Sequence, residues 1–337
     1  MTYGAIDLHT RYSQIRIVDA EGGVLLDRRI ATTVAEFKAL FAARPPVRVL
    51  VETGTESEWV AQVLEACGHE VIVADPNFAL MYGQRSRRIK TDKRDVAALA
   101  EACRLGIYRR AHRVSEAQRQ ERRQLIVRQQ MVRVRTQAIN LLRAQLRQEG
   151  YRLGSGAAES AVTRYRRLSV SEAVAAAVAP LIALLEHLAP ALKVADAEAE
   201  TRAAADPITR RLMTAPGIGP ITALCFRATF DDIDRMRDAS GASASVGLVP
   251  REASSGERQR RGRITKAGPP MLRSLLIQAA WRVWRARASS GALYAWVERV
   301  AARRGRRIAV VALARRLTRI LYAMWRDETD YRVRAAA

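Results

Sequence analysis

Tyr3-Gly4-Ala5-Ile6-Asp7-Leu8 is a short apolar run broken by a single acid. Gln14 to Val18 then alternates, and Val24 to Ile30 follows the tight Glu21-Gly22-Gly23 turn, so three strands joined by short connections form an antiparallel meander. Thr33 opens a helical pattern with Phe37, Leu40 and Phe41 on one face, and Pro45-Pro46 ends it. Val47 to Val51 is a strand rich in β-branched residues, closed by Glu52. Thr53-Gly54-Thr55 turns the chain into a helix carrying Trp59, Val60, Val63 and Leu64, and His69 to Ala74 is the next strand. After an arginine-rich loop (Arg85, Arg87, Arg88), Lys90-Thr91-Asp92-Lys93-Arg94-Asp95 leads into a helix with Val96, Leu99, Ala102 and Cys103 inward, so Asp92 and Asp95 share one face of its first turn.

Three antiparallel strands followed by alternating helix and strand is the order of an RNase H-like α/β domain. In that fold the first strand lies parallel to the fourth, which would set Asp7 beside Glu52, and a helix across the sheet would add Asp92 and Asp95. Four carboxylates so gathered could hold two Mg²⁺ about 3.5–4 Å apart, an arrangement that polarises a phosphodiester. Asp7 in a core strand is costly unless something neutralises it. Taken singly, each acid also has an ordinary explanation as a strand end or a solvated helix turn. Their order along the chain favours a metal site.

The composition points to a polyanionic partner. Lys and Arg number 57 against 34 Asp and Glu, a formal charge of +23 over 337 residues; nucleic acid is the first candidate for such an excess and an anionic membrane surface the second. No apolar run is read as approaching the roughly 20 residues of a spanning helix, and no signal-peptide core stands at the N-terminus, so no membrane role is expected. Cys67, Cys103 and Cys225 lack metal-site spacing and suit a reducing compartment. His9, His69, His112 and His187 are dispersed and read as structural or solvated.

From Glu116 to Glu149 there is neither Gly nor Pro, and Leu125, Val132, Ile139 and Leu146 recur every seven residues, as in a coiled-coil helix. Ser169-Val170-Ser171-Glu172 has capping-box spacing before an Ala- and Leu-rich helix that Pro180 and Pro190 should kink or restart. The two stretches are expected to pair as an antiparallel hairpin. Farther on, Pro216-Gly217-Ile218-Gly219-Pro220 is a helix–loop–helix junction whose glycines either admit a phosphate backbone or simply turn the chain. The stretch from Val246 to Gly268 sets Ser254 and Ser255 among Arg258, Arg260, Arg261, Arg263 and Lys266, cations suited to nucleic-acid backbone, and Arg273 follows on the next helix. A serine there could approach a phosphate; a basic binding loop with incidental serines is the plainer reading.

Gly4-Ala5-Ile6-Asp7, Val51-Glu52-Thr53-Gly54-Thr55, Lys90 to Ala97, Pro216-Gly217-Ile218-Gly219, Gly247-Leu248-Val249-Pro250, Ser255-Gly256 and Lys266-Ala267-Gly268 with Leu272-Arg273 stand together in one order. In this the chain resembles, over nearly its whole length, the bridge-RNA-guided DEDD transposases (recombinases) of bacterial insertion sequences, relatives of the pilin-gene inverting recombinases. The resemblance implies a RuvC-like RNase H-fold domain over 1–113, a coiled-coil helical hairpin over 114–205 and a mainly helical transposase domain over 206–337. It places the acidic tetrad on Asp7, Glu52, Asp92 and Asp95 with Mg²⁺, and the nucleophile on Ser255. It further implies a covalent phosphoserine–DNA intermediate, donor and target DNA paired by a structured guide RNA, a homo-oligomer of dimer-of-dimers type, and a cytoplasmic, nucleoid-associated protein. Pro269 departs from the family's usual small polar residue or histidine.

Two other readings stay open on the sequence: a metal-dependent, junction-resolvase-like nuclease in which water attacks, and a noncatalytic nucleic-acid scaffold.

Overall fold

The computed structural model describes residues 1–83, 91–252, 261–286 and 291–332. The chain divides into two compact units, Met1–Val114 and Ser115–Ala337.

In the first unit, among the described residues, five strands form one mixed sheet: β1 (Thr2–Leu8), β2 (Tyr12–Val18), β3 (Val24–Ala31), β4 (Val47–Glu52) and β5 (Glu70–Ala74). Their order across the sheet is β3-β2-β1-β4-β5. The first three are antiparallel, as expected of the meander, and β4 runs parallel to β1, the expected neighbourhood of Asp7 and Glu52; β5 runs parallel to β4. The β2–β3 turn is closed by Asp19, whose Oδ1 accepts from the Gly23 and Glu21 amides while Gly22 takes the left-handed φ of 95°. Helices α1 (Val34–Phe41), α2 (Ser57–Ala66) and α3 (Asp92–Leu105) cover the sheet.

Strand alternation sorts the core into two layers. Ile6, Val49 and Val51 pack with Phe37, Phe41, Val60 and Leu64 of α1 and α2. Ala5, Leu50 and Ala74 pack with Val96, Leu99 and Cys103 of α3. Asp7 has the parity of Ala5, and Glu52 that of Leu50, so both belong to the α3 face.

The second unit begins with α4 (Glu116–Gln148), followed by the short α5 (Ala161–Arg166) and α6 (Glu172–Ala205). Helices α4 and α6 are antiparallel: Arg202 meets Glu121 at 2.9 Å, Arg128 meets Asp196 at 2.7 Å, and Ile139, Leu142 and Leu146 pack near Val174 and Val178. Of the heptad residues, Leu125, Ile139 and Leu146 are buried and Val132 half-buried.

Two expectations for α6 need correction. Pro180 and Pro190 neither break nor restart it. Both prolines stand on the exposed side, where the carbonyls they leave unpaired meet water, while Val174, Val178, Leu185, Leu192 and Ala199 continue the buried stripe past them. The N-cap is Ser171 rather than Ser169; its side chain accepts from the Val174 amide at 3.4 Å. Helix α6 is also long and apolar enough to cross a membrane by length and composition, contrary to the sequence reading. That alone does not indicate a membrane protein, because this helix lays a buried stripe against α4 and holds ion pairs with it.

The remaining elements are α7 (Pro207–Met213), α8 (Pro220–Phe230), α9 (Ala239–Ser245), a two-stranded ribbon of β6 (Pro250–Glu252) and β7 (Arg261–Ile264), then α10 (Pro270–Arg285), α11 (Gly291–Arg304) and α12 (Arg306–Arg326). Phe226, Phe230, Leu272, Leu276, Leu313, Leu317 and Trp325 are central to their common core. Cys67, Cys103 and Cys225 are free thiols, and burial pushes Cys103 and Cys225 up to about 12, which keeps both unreactive.

Candidate active site

Asp7 lies near the C-terminal end of β1 and Glu52 at the C-terminal end of the parallel neighbour β4, so both residues stand, on the α3 face, at the same end of two interior strands. Helix α3 packs on that face and starts there. Thr91 caps it, its side chain accepting from the Arg94 amide at 3.4 Å, which fixes Asp92 and Asp95 in the first turn. Asp95 is only 7 % exposed.

The four acids converge electrostatically. Burial, first of all, pushes the Asp7 carboxyl above its ordinary range; the His9 imidazole pulls it down, and Glu52, Asp92 and Asp95 each push it further up. Side chains from other elements steady the group. The Tyr82 hydroxyl donates to Glu52 Oε1 at 2.5 Å, and the Tyr12 hydroxyl donates to Asp92 Oδ2 at 3.4 Å. The Arg29 guanidinium lies 3.3 Å above the Tyr12 ring centre.

His9, read from sequence as structural or solvated, stands inside this cluster. Its Nε2 is 3.4 Å from Asp7 Oδ2 and 3.8 Å from Asp92 Oδ1. Asp7, His9 and Asp92 can each turn a ligand atom toward the same point. The missed signal was position: His9 follows Asp7 by two residues, the spacing that keeps two side chains on one side of an extended chain. A cluster of acids with a buried, strained charge and an imidazole nitrogen is a fitting donor set for a divalent cation.

In the second unit the sequence motifs around the serine stretch meet in one knot. Gly247 and Gly268 both take left-handed φ, near 73°, and their backbones touch: a Cβ on Gly268 would fall 1.8 Å from Ser245 O, and one on Gly247 would fall 2.3 Å from Ala267 O. Side chains cannot be accommodated at either place. Thr265 N donates to Val249 O at 2.9 Å, and Lys266 N to Gly247 O at 3.1 Å. Arg273 Nη1 donates to Val246 O at 2.9 Å and Ala267 O at 3.1 Å, clamping the two sides of the ribbon's base. Read from sequence as a backbone contact for nucleic acid, Arg273 spends at least this nitrogen inside the fold. Arg263 and Lys266 are exposed, Lys266 with a left-handed φ of 57°.

Gly217 also has a left-handed φ, 76°, and its close approach is to α10: a Cβ there would lie 2.7 Å from Ala279 O and 2.9 Å from Val283 Cγ2. The loop glycine thus packs one helix junction onto another. Gly219 is the N-cap of α8 and has no side chain to close that terminus, and Pro220 follows at the first helical position. Ser254, Ser255, Arg258 and Arg260 lie outside the described residues, as do Arg85, Arg87 and Arg88; for Arg261 only the backbone, in β7, is described.

Comparison with known proteins covers both units. Residues 5–150 match a DEDD-type transposase model, and residues 209–295 match the model described as "Transposase IS116/IS110/IS902 family". A Pseudomonas aeruginosa protein named "Probable family 20 transposase" is 30 % identical over 335 residues, 97 % of each chain. The Yersinia enterocolitica transposase for insertion sequence element IS1328 is 28 % identical over 342 residues, 98 % of each chain. The Coxiella burnetii transposase for insertion sequence element IS1111A is 28 % identical over 340 residues, covering 97 % of this chain and 90 % of that one. With similarity of this extent running through both the acid-bearing sheet and the glycine-locked ribbon, the chain belongs to the IS116/IS110/IS902 family of insertion-sequence transposases, enzymes that act on DNA.

Proposed function

We propose that the first unit is an RNase H-like (RuvC-like) nuclease domain and that the protein recombines DNA under the direction of a structured guide RNA, through a phosphoserine intermediate. The observation that carries this reading is the placement of Asp7 and Glu52 near the C-terminal ends of the parallel neighbours β1 and β4, with Asp92 and Asp95 in the first turn of the helix packed on that face. Asp7, Glu52, Asp92 and Asp95 would hold Mg²⁺. Bound there, the ions would supply charge stabilisation at the scissile phosphodiester and its leaving oxygen.

The chain's own residues do the rest. Ser255 Oγ attacks phosphorus; the new Ser–O–P bond forms as the P–O3′ bond breaks, the serine proton passes to solvent, and the leaving 3′ oxygen takes a proton from solvent to become a hydroxyl. The phosphodiester's energy stays in the protein–DNA link, so exchange needs no nucleotide cofactor. Arg258, Arg260, Arg261, Arg263 and Lys266 offset charge on the backbone, and Arg85, Arg87, Arg88 and the Gly217–Gly219 turn add backbone contacts. Arg273 holds the base of the serine ribbon, where its Nη1 is already engaged. The +23 charge suits a protein that grips nucleic acid by its backbone while base pairing reads sequence. A homo-oligomer, a dimer of dimers, brings one subunit's acids to another's serine, in the cytoplasm at the nucleoid.

Trapping tests the chemistry. Incubated with Mg²⁺, donor DNA and copurified RNA, then denatured, the protein should remain attached to a DNA end. Ser255→Ala should abolish the adduct and Ser254→Ala should retain it. Cleavage without adduct in any variant would replace the serine route by hydrolysis. Sequencing the copurified RNA should return one defined noncoding transcript; random cellular RNA would remove guidance.

A further inference from the structure

We infer that His9 is a direct ligand of the divalent-metal centre, giving it a mixed nitrogen and oxygen donor set that prefers Mn²⁺ or a later transition ion over Mg²⁺. The inference rests on the metal-centre reading above and adds to it a donor outside the acidic tetrad.

The backbone aims the ring. Immediately after β1 the chain turns, His9 N donating to Tyr12 O at 3.1 Å and His9 O accepting from Thr32 Oγ1 at 2.7 Å. The Tyr12 ring lies against the imidazole, centroids 4.9 Å apart, and reaches Asp92 through its hydroxyl. So held, the ring is 40 % exposed as a whole, but its Nε2 atom is shut from solvent and, among the described residues, has no hydrogen-bond partner. A buried polar atom left in that condition is costly, and native structures rarely tolerate one without a purpose.

Distance separates the two uses of such a nitrogen. An imidazolium paired with a carboxylate makes a charge-assisted bond of about 2.7–2.9 Å. Two donors each about 2.1 Å from one ion stand roughly 3.0 Å apart at a right angle and roughly 3.4 Å apart at the tetrahedral angle. His9 Nε2 lies 3.4 Å from Asp7 Oδ2 and 3.8 Å from Asp92 Oδ1, spacings of donors sharing an ion, with Asp92 closing slightly. The chemistry follows from the donor type. Carboxylates alone suit Mg²⁺ and Mn²⁺ alike, whereas an imidazole nitrogen adds little for Mg²⁺, more for Mn²⁺ and progressively more for the later ions in the stability order.

Mn²⁺ itself is the probe. Metal-free full-length protein is titrated with Mn²⁺ and followed by electron paramagnetic resonance, with electron spin echo modulation to detect a coordinated nitrogen. The wild type should show a directly bound ¹⁴N coupling that changes to the ¹⁵N pattern when histidine is ¹⁵N-labelled. His9→Ala should lose the coupling and bind Mn²⁺ about tenfold more weakly, with Mg²⁺ binding changed less than about twofold. Mn²⁺ bound with no nitrogen coupling in the wild type, or with the coupling intact in His9→Ala, overturns the role of His9 and leaves the carboxylate centre standing. Absence of Mn²⁺ binding, or binding indifferent to Asp7→Asn, overturns the centre as well. Should His9→Ala not fold, His9→Gln supplies the same comparison, since it keeps a polar side chain of similar length and has no imidazole nitrogen.

Discussion

Asp7→Asn should stabilise the metal-free protein while removing its function. Burial and three neighbouring carboxylates hold the Asp7 carboxyl above its ordinary value of 3.8 in the fold. The native state therefore keeps that proton to higher pH than the unfolded chain does. Stability falls as pH rises from the unfolded value through the folded one, and the loss persists at neutral pH. Asparagine is nearly isosteric and carries no charge, so it removes the loss. With the side chain 20 % exposed, water screens part of the effect, and a gain of about 1 kcal/mol is expected, typical of relieving a functional-site charge. In a unit of this size that is about 4 °C in melting temperature. The assay is calorimetry in EDTA at pH 7 and again near pH 3, where wild-type Asp7 is protonated and the difference should shrink toward zero. Excess Mg²⁺ should reverse the ranking, since a hundredfold excess over Kd adds about 2.7 kcal/mol to the protein that binds it. A variant that melts lower than wild type in EDTA at pH 7, or a gain that is the same at both pH values, would refute the account of the cluster.

Gly268→Ala should cost about 3 kcal/mol or prevent folding of the second unit, because a methyl group there meets Ser245 O at 1.8 Å on a left-handed backbone. Gly241→Ala in α9, with nothing nearer than Asp238 Oδ1 at 3.6 Å, should be neutral or stabilising by about 0.5 kcal/mol in the same melts. Arg273→Ala should lower the yield of trapped DNA adduct severely and leave Mn²⁺ binding at the acids unchanged, the loss of its two carbonyl bonds costing about 2 kcal/mol in denaturant titration. Leu142→Ala, at a fully buried place between α4 and α6, should cost about 3 kcal/mol, with hydrogen exchange accelerated in the hairpin and unchanged in the sheet.

Much of the first unit was legible because a period of two survives in short strands. The run around Ile6 and the β-branched Val47–Val51 announced their pairing, and acids at their ends drew attention by being expensive there. The helix bearing Asp92 and Asp95 was legible from Thr91 and the apolar spacing after it. Other features were not. Whether a proline breaks a helix depends on which side of it faces a neighbour, and nothing local said that Pro180 and Pro190 face outward. A histidine is judged by what surrounds it in space; His9 was weighed among the scattered histidines instead of beside Asp7. Gly217 looked like room for a phosphate, yet what comes close is α10, more than fifty residues away in sequence.

The alternation that divides β1 between two core layers makes arithmetic out of the placement of the acids. Asp7 faces α3 because an odd-numbered position does so, and Ile6 faces the opposite layer for the same reason. Deleting one residue ahead of Asp7 while the strand kept its hydrogen-bonding frame would slide Asp7 into the place of Ile6, burying a carboxylate against Phe37 and Val60, and slide Leu8 into the place of Asp7, presenting leucine to the other acids. Indels in this strand should thus be tolerated, if at all, only in pairs, a constraint that no comparison of side-chain chemistry at single sites would disclose.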